Sequence, residues 1–332
     1  MAKEVATRVA YGDALIALGQ ENEKVVVLDA DVASATFTYG FSKRFPECFF
    51  NMGIAEANMV GVAAGLADMG FVPFASTFAV FGAGRAYDQV RNTVAYSRAN
   101  VKLPMTHSGI TAGEDGGSHH AIEDIALMRV IPGMVVLCPC DETQTHQAVR
   151  FCAEYDGPVY LRLSRMASSV MEEMPFRLGG SNVIRDGSDV VLFACGLMVD
   201  KAVEAARNLK TWGIDAAVIN LYSIKPIDRE MVKAFARKCG NVVTLEEHSI
   251  YGGLGDAVSE ALSGQGCVSM KRIGVRDMFG QSGKPEEVLK YYRLDGESVT
   301  EDILAFLATD IGKSGRYAAS CGPDQEKRDN DE

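Results

Sequence analysis

The stretch Asn51-Met-Gly-Ile-Ala-Glu-Ala-Asn-Met-Val-Gly-Val-Ala-Ala-Gly-Leu-Ala67 lies between two apolar, β-branched runs, Val25–Asp31 and Phe71–Thr77. From Ile54 onward it consists almost wholly of small and apolar residues, which predicts a helix that is buried on all sides. The two flanking runs have the length and composition of strands. A strand, a helix and a further strand in succession are typical of α/β architecture.

The same alternation continues along the chain, with helical patterns such as Met198–Trp212 and Arg229–Lys238 between apolar runs. These runs show little polar alternation, so both faces of their sheets are expected to be covered by helices. The sequence therefore predicts an α/β fold with mostly parallel sheets. The further predicted strands are Leu103–His107, Met134–Cys138, Val159–Leu163, Asp189–Cys195, Ala216–Leu221, Val242–Glu246 and Val268–Val275.

A break near residues 166–188 divides the chain into two predicted domains. It contains Pro175, Gly179, Gly180 and Gly187 among acidic and polar residues, a composition typical of linkers. The first domain is predicted to span residues 1–175 and the second residues 188–312. Residues 313–332 are rich in charge, Gly, Ser and Asn, which predicts a disordered tail.

Composition excludes several classes of function. The chain has 332 residues with 33 basic and 44 acidic side chains, a net charge of −11 that argues against nonspecific binding to nucleic acid or anionic membranes. No apolar run reaches the ~20 residues of a membrane span, and residues 1–8 lack the apolar core of a signal peptide. The eight cysteines show no zinc-type pairs, so we expect a cytoplasmic protein with free thiols.

Two features near the predicted helix are candidates for a binding site. Glu56 is the one carboxylate in the first turn of that helix, where it either faces water or is buried and needs a partner. Phe78 and Phe81 are three residues apart and therefore share one face of a turn or helix. Such a pair is either part of the core or a platform for a flat heteroaromatic ring.

The segment Thr106–His120 contains four glycines and three histidines in fifteen residues, which predicts a loop at the C-terminal end of a strand. Ligands bind at this end of the strands in open α/β sheets. The histidine spacing fits no standard zinc ligand set, so a sugar or phosphate site suits the loop better. Arg162 and Arg165 follow a predicted strand and either bind a phosphate or are surface charges.

Together these segments resemble the transketolase family, in the family's order, from about residue 3 to residue 310. The resemblance implies a thiamine-diphosphate-binding pyrimidine-type fold followed by a transketolase C-terminal-type fold. In the first domain the similar pieces are Leu28–Asp31, Asn51–Ala67, Ser76–Phe81, Gly113–His119 and Leu163–Arg165, and in the second they are Tyr222–Asp228 and Glu246–Gly255.

The resemblance implies thiamine diphosphate as the cofactor and assigns four residues to it. Glu56 corresponds to the catalytic glutamate that faces N1′ of the aminopyrimidine ring. Phe78 and Phe81 correspond to the aromatic face under that ring. Asp31 corresponds to a carboxylate near the cofactor.

The resemblance also assigns residues to the substrate. Asp115 and His119 correspond to contacts with the hydroxyls of the donor sugar, and His119 is also a candidate catalytic residue. His107 and Arg165 correspond to residues that hold the substrate phosphate, and Ser34 to a further phosphate contact.

The sequence departs from the family pattern at Gly84, where the family usually has a tyrosine, and Tyr87 is a candidate substitute. Gly117 replaces a proline of the family's loop. The stretch Arg85-Ala-Tyr-Asp-Gln-Val90 also resembles 1-deoxyxylulose-5-phosphate synthases. These departures leave the donor and acceptor sugars open.

The family's magnesium motif, Gly-Asp-Gly followed by Asn, is the largest feature that the sequence lacks. We therefore expect an N-terminal partner subunit of roughly 250–300 residues that holds Mg²⁺ and the diphosphate. The cofactor is expected to lie between the subunits. Self-association through the pyrimidine domains would give a heterotetramer with two copies of each chain.

The primary hypothesis is the C-terminal subunit of a transketolase that moves a two-carbon ketol unit from a ketose phosphate to an aldose phosphate. Alternatives are a 1-deoxyxylulose-5-phosphate synthase-like subunit, a 2-oxoacid dehydrogenase β subunit and a non-catalytic regulatory partner. The histidine loop with Arg165 favours sugar phosphate chemistry, and Glu56 and Asp115 argue against a regulatory role. Pentose phosphates are the default substrates, and branched or sulfonated ketoses are alternatives.

Overall fold

The computed structural model describes residues 3–266 and 268–309, so the predicted disordered tail lies outside the described residues. The strands are β1 (Glu4–Ala6), β2 (Val25–Asp29), β3 (Phe49–Asn51), β4 (Val72–Phe78), β5 (Lys102–Thr106), β6 (Val135–Leu137), β7 (Val159–Arg162), β8 (Ala167–Ser169), β9 (Asn182–Arg185), β10 (Val190–Ala194), β11 (Ala216–Asn220), β12 (Ser223–Lys225), β13 (Asn241–Ser249) and β14 (Ser269–Val275).

The helices are α1 (Thr7–Glu21), α2 (Ala33–Thr36), α3 (Tyr39–Arg44), α4 (Glu56–Asp68), α5 (Asp124–Val130), α6 (Glu142–Glu154), α7 (Met198–Thr211), α8 (Arg229–Cys239), α9 (Leu254–Leu262), α10 (Pro285–Tyr291) and α11 (Gly296–Ala308). Two π-helical segments, Phe81–Arg85 and Gln89–Tyr96, follow β4, and Pro46–Cys48 and Gly113–Asp115 form short 3₁₀ helices. None of the helices in the two described ranges is long and apolar enough to cross a bilayer.

Two mostly parallel sheets organise the molecule, which confirms the predicted α/β class. The first has the order β12-β6-β7-β5-β4-β2-β3, and all its pairings are parallel except that of β12 with β6. The second has the order β14-β13-β10-β11-β9, and only β9 runs antiparallel to its neighbour. A separate antiparallel pair joins β1 to β8.

The uninterrupted apolar runs of the sequence arise because both faces of the first sheet are covered. Side chains alternate along β2, so that Val26 and Leu28 belong to one core cluster and Val25 and Val27 to another. Helix α4 contributes Met59 to the first of these clusters. Burying both faces leaves no position on the strand for a polar alternation.

The segment predicted as a linker carries structure of its own. Strand β9 pairs with β11 in the second sheet, although the predicted second domain begins at residue 188, after this strand. Strand β12 comes from the second half of the chain but pairs with β6 in the first sheet. The predicted linker therefore contributes a strand to the second sheet, and the second half of the chain contributes a strand to the first sheet.

The prediction that helix α4 is buried on all sides is wrong for this chain. The helix begins at Glu56, and Ile54 just before it is 79% exposed. Val62 is exposed, and a side-chain carbon at Gly61 or Gly65 would meet no atom within 4 Å. Composition shows that the helix is apolar on every side, but it does not show which sides are covered by residues of the same chain.

Candidate active site

Glu56 is buried and paired. It is the first residue of α4, only 2% of its surface is exposed, and Arg85 Nη1 donates hydrogen bonds to Oε1 at 2.9 Å and to Oε2 at 3.0 Å. The alternative in which this carboxylate faces water is therefore wrong. A buried carboxylate needs a cation or a hydrogen-bond donor opposite it, and Arg85 supplies both.

The rings of Phe78 and Phe81 form a platform beside this ion pair. Their centroids are 5.9 Å apart with an interplanar angle of 14°. The guanidinium carbon of Arg85 lies 4.6 Å from the centroid of Phe81, so the arginine links the platform to Glu56. The chain turns here through the π-helical segment, where a side-chain carbon at Gly82 would lie 2.3 Å from the sulfur of Met105 and would force that side chain to move.

His107 extends the platform on its other side, with its ring centroid 3.8 Å from that of Phe78. Arg8 Nη1 lies 3.2 Å from Nε2 of His107, and Thr106 Oγ1 lies 2.8 Å from Nδ1. Because a guanidinium can only donate, Nε2 accepts and Nδ1 carries the proton. Burial, followed by the charges of Arg8, Arg165 and His119, lowers the pKa of His107 to about 3. The imidazole is therefore neutral and supplies no charge to a phosphate.

We expect the ring of His107 to remain neutral from pH 8 to pH 5, with the proton on Nδ1. Its folded pKa of about 3 lies below the unfolded value of ~6.5, so stability is lost as the pH falls from about 6.5 toward 3. Imidazole ¹⁵N shifts of the folded chain measure the protonation directly. The same histidine in urea should titrate near its ordinary value, and a folded midpoint at pH 6 or above would contradict the assignment.

The rim of the platform is formed by the predicted substrate residues. The ring of His119 stands edge-on to Phe81 at a centroid distance of 5.3 Å. Arg165 Nη1 donates a hydrogen bond to the carbonyl of Ala112 and lies 3.4 Å from an oxygen of Asp115. The charge of Arg165 also acts on His107. The structure therefore brings seven predicted residues together in one place: Glu56, Phe78, Phe81, His107, Asp115, His119 and Arg165.

Asp31 and Ser34 lie on the segment that follows β2. Asp31 is exposed, adopts a left-handed backbone conformation with φ 65°, and accepts a hydrogen bond from Asn51 Nδ2 at 2.9 Å. Ser34 is exposed on the short helix α2. Its neighbour Ala35 accepts a hydrogen bond from Arg8, the residue that contacts His107. The cofactor role of Asp31 and the phosphate role of Ser34 stay predictions.

Arg162 fits neither of the two alternatives considered for it. It is buried, and its Nε and Nη2 donate to the two carboxylate oxygens of Asp124 at 2.8 and 3.1 Å. Tyr160 donates a further hydrogen bond to the same carboxylate at 2.8 Å. Arg162 is therefore an internal ion-pair residue and is unavailable to a phosphate.

Gly84 stands where the family usually has a tyrosine, and Tyr87 is the nearby candidate substitute. Tyr87 is partly buried and packs against the main hydrophobic core, whereas Gly84 is exposed with no atom within 4 Å of a side-chain carbon built there. Gly84 thus leaves open space at this side of the site. The role of Tyr87 as a substitute for that tyrosine stays a prediction.

Sequence reasoning missed Arg8 and Arg85. Arg8 lies 99 residues from His107 in the chain, so no local pattern connects them. Arg85 follows Phe81 by four residues, a spacing that brings two side chains to the same face of a helix.

Comparison with known proteins places this geometry in a family. Residues 3–169 match the family model of the transketolase pyrimidine binding domain, and residues 179–299 match that of the transketolase C-terminal domain. The chain belongs to the transketolase family. Within this family it is 48% identical over 302 residues to a protein of Methanocaldococcus jannaschii that is named as a transketolase C-terminal section, covering 90% of this chain and 95% of that protein.

Two further transketolase relatives extend the comparison. A 6-deoxy-6-sulfo-D-fructose transketolase subunit of Clostridium sp. (strain MSTE9) is 42% identical over 295 residues, covering 88% of this chain and 91% of that protein. A solved structure described as a split gene transketolase, inactive beta4 tetramer, is 50% identical with a TM-score of 0.85, covering 91% of this chain and 98% of the other.

The residues present fit one end of the transketolase cofactor. The flat pair of rings and the buried carboxylate beside it suit an aminopyrimidine, which offers a ring face and ring nitrogens. The family's Gly-Asp-Gly motif is absent from the sequence.

Proposed function

We propose that this chain is the C-terminal subunit of a thiamine-diphosphate-dependent transketolase that transfers a two-carbon ketol unit from a ketose phosphate to an aldose phosphate. One observation carries the proposal: the carboxylate of Glu56 and the rings of Phe78 and Phe81 adjoin a rim of imidazole, carboxylate and guanidinium groups. An aminopyrimidine fits the first part of this arrangement, and a sugar phosphate fits the second.

When bound, thiamine diphosphate supplies the carbon nucleophile and the electron sink for ketol transfer. Phe78 and Phe81 orient the pyrimidine ring by stacking. Glu56 would hold and transfer a proton at N1′ of the ring, because each of its carboxylate oxygens keeps a lone pair free beside the hydrogen bond from Arg85. Burial of Glu56 excludes water from this proton transfer.

At the rim, Asp115 accepts hydrogen bonds from sugar hydroxyls, and His119 donates to or accepts from a reacting oxygen. The positive charge for the phosphate comes from Arg165, with Arg8 behind neutral His107. His107 contributes a hydrogen bond and a ring surface. The two residues therefore differ in role because the lowered pKa of His107 leaves it uncharged, whereas the sequence had predicted that both His107 and Arg165 hold the phosphate.

A partner subunit completes the enzyme in this proposal. The names of the relatives, a C-terminal section, a transketolase subunit and a split gene transketolase, support a two-chain arrangement. The absence of Gly-Asp-Gly supports assignment of Mg²⁺ and the diphosphate to the partner. Assembly as two copies of each chain, with self-association through the pyrimidine domains, and a cytoplasmic location remain predictions.

A ketol-transfer assay with thiamine diphosphate and Mg²⁺ tests the function. We expect this chain to be inactive alone and active when mixed with an N-terminal transketolase subunit, because only the partner secures the diphosphate. Full activity of this chain alone would contradict the proposed division. Pentose phosphates and a sulfonated ketose should both be supplied, since a guanidinium binds phosphate and sulfonate alike and one relative is named for a sulfo-sugar.

The second candidate is a 1-deoxyxylulose-5-phosphate synthase-like subunit. It is favoured by the stretch Arg85–Val90, and Arg85 is the residue that pairs with Glu56. This activity, like that of a 2-oxoacid dehydrogenase β subunit, consumes an oxoacid. Release of carbon dioxide from pyruvate by the assembled complex, without ketol transfer between sugars, would favour these alternatives.

A further inference from the structure

Glu247 lies on β13 in the second domain, and its side chain reaches into the first domain. Its Oε1 accepts two hydrogen bonds from Thr111, one from the backbone nitrogen at 2.6 Å and one from the hydroxyl at 2.7 Å. Both residues are buried. Thr111 belongs to the loop His107–His120, so a side chain of the second domain holds the loop that carries the predicted substrate residues.

The loop His107–His120 depends on the second domain for its shape. Gly109 has φ 75°, and a side-chain carbon there would lie 2.3 Å from the carboxyl carbon of Glu247, so the carboxylate packs directly on the bare backbone. Farther along, Gly113, Gly116 and Gly117 pack against residues 280–285 of the second domain. Since a glycine-rich segment has little conformational preference of its own, these contacts fix it.

The hydrogen bonds of Thr111 lead directly to the rim of the site. The next residue, Ala112, presents the carbonyl that accepts the hydrogen bond of Arg165. Arg165 in turn lies 3.4 Å from Asp115. Glu247 therefore fixes the backbone that places both the guanidinium and the carboxylate of the predicted sugar phosphate site.

The preceding residue, Glu246, is a buried carboxylate whose hydrogen bonds stay within the second domain, and it serves as a comparison for Glu247. It is also buried, but it accepts hydrogen bonds from the backbone nitrogens of Leu254 at 2.6 Å and Gly255 at 2.8 Å, at the start of α9 in its own domain. The two neighbouring glutamates are both buried and both accept hydrogen bonds from backbone nitrogens, and Glu246 also lies 3.6 Å from Nδ1 of His248. They differ in which domain they stabilise.

We propose that Glu247 is a positioning residue of the transferase site, which holds the loop His107–His120 in the conformation that receives the sugar phosphate. This inference rests on the proposed function. It assigns to the second domain a part in substrate binding, although that domain contributes none of the predicted site residues.

The test compares Glu247→Ala, Glu247→Gln and Glu246→Ala in the full chain assembled with its partner. Glu247→Ala should raise KM for the sugar phosphate by about tenfold or more, with kcat changed by less than about threefold, because loop order is lost before binding. Glu247→Gln should restore KM, since the amide oxygen accepts the same two hydrogen bonds and burial already raises the pKa of the Glu247 carboxyl. Glu246→Ala should lower the melting temperature and leave KM unchanged.

Hydrogen exchange of this chain alone provides a second readout that does not need activity. The amide of Thr111 and its loop should exchange at least about tenfold faster in Glu247→Ala but not in Glu246→Ala. If Glu247→Ala does not fold, Thr111→Val removes one of the two donors and should give an intermediate effect on exchange and KM. Equal KM values for the wild-type and Glu247→Ala complexes would overturn the inference. Absence of ketol transfer in the wild-type complex would overturn the proposed function. In that case the hydrogen exchange of Thr111 alone would test whether Glu247 holds the loop.

Discussion

Replacing Glu56 by glutamine is expected to lower turnover of the assembled transketolase by at least about 100-fold, while the two chains still assemble. A positioned acid–base group contributes roughly 10²–10⁴-fold to a rate, and glutamine has nearly the same shape but cannot transfer the proton. Glu56 is buried at the start of α4 against Arg85, so the substitution is confined to the site. Steady-state kinetics together with a sizing measurement of the complex gives both results.

The control for this substitution is Asp68→Asn, which removes a carboxylate from the exposed far end of the same helix. It should leave turnover unchanged. Unchanged turnover in Glu56→Gln would exclude a catalytic role for this chain and revive the regulatory alternative. A loss of assembly in Glu56→Gln would instead mean that the ion pair with Arg85 shapes the interface.

Replacing Arg162 by methionine is expected to destabilise the fold by about 3–5 kcal/mol, because it leaves the carboxylate of Asp124 buried without its cation. Asp124 and Arg162 are both inside the protein, and the guanidinium also donates to the backbone carbonyl of Glu247 at 2.9 Å. The substitution therefore weakens the contact between the two domains as well. Urea denaturation followed by circular dichroism measures the change.

Two variants distinguish the buried pair from an ordinary surface pair. Arg150 and Glu21 form an exposed ion pair at 3.1 Å, and Arg150→Met should cost no more than about 1 kcal/mol. Adding Asp124→Leu to Arg162→Met removes the unpaired charge and should recover part of the lost stability. If Arg162→Met lowered the free energy of unfolding as little as Arg150→Met, the buried carboxylate of Asp124 would not depend on Arg162 for its stability.

The sequence predicts the long buried strands well because continuous apolar, β-branched runs of this length are typical of strands buried on both faces. Each such run corresponds to a strand, for example β4 at Val72–Phe78 for the prediction Phe71–Thr77. The short strands β1, β3, β8, β9 and β12 were not predicted, since none of them lies in a longer apolar run, whereas the equally short β6 and β7 do. The place of β9 and β12 is set by pairing with distant strands.

The site divides in the same way. Glu56, Phe78 and Phe81 stand in compact blocks of sequence, and the structure places them together. Other charged contacts join distant parts of the chain: Arg8 lies 99 residues from His107, and Asp124 lies 38 residues from its partner Arg162. A long-range ion pair depends on the finished fold, so local patterns cannot reveal it.

The pairing of β12 with β6 determines when the first sheet can be completed during synthesis of the chain. Residues 223–225 complete the first sheet by covering β6, and Lys225 anchors the strand through hydrogen bonds to the carbonyls of Arg129 at 2.7 Å and Ile131 at 2.5 Å. During synthesis the N-terminal part of a chain emerges first, and an open strand edge is a template for pairing with other chains. The first sheet therefore keeps an unprotected edge until residue 225 has left the ribosome, and a fragment cut at the predicted boundary would keep that edge permanently.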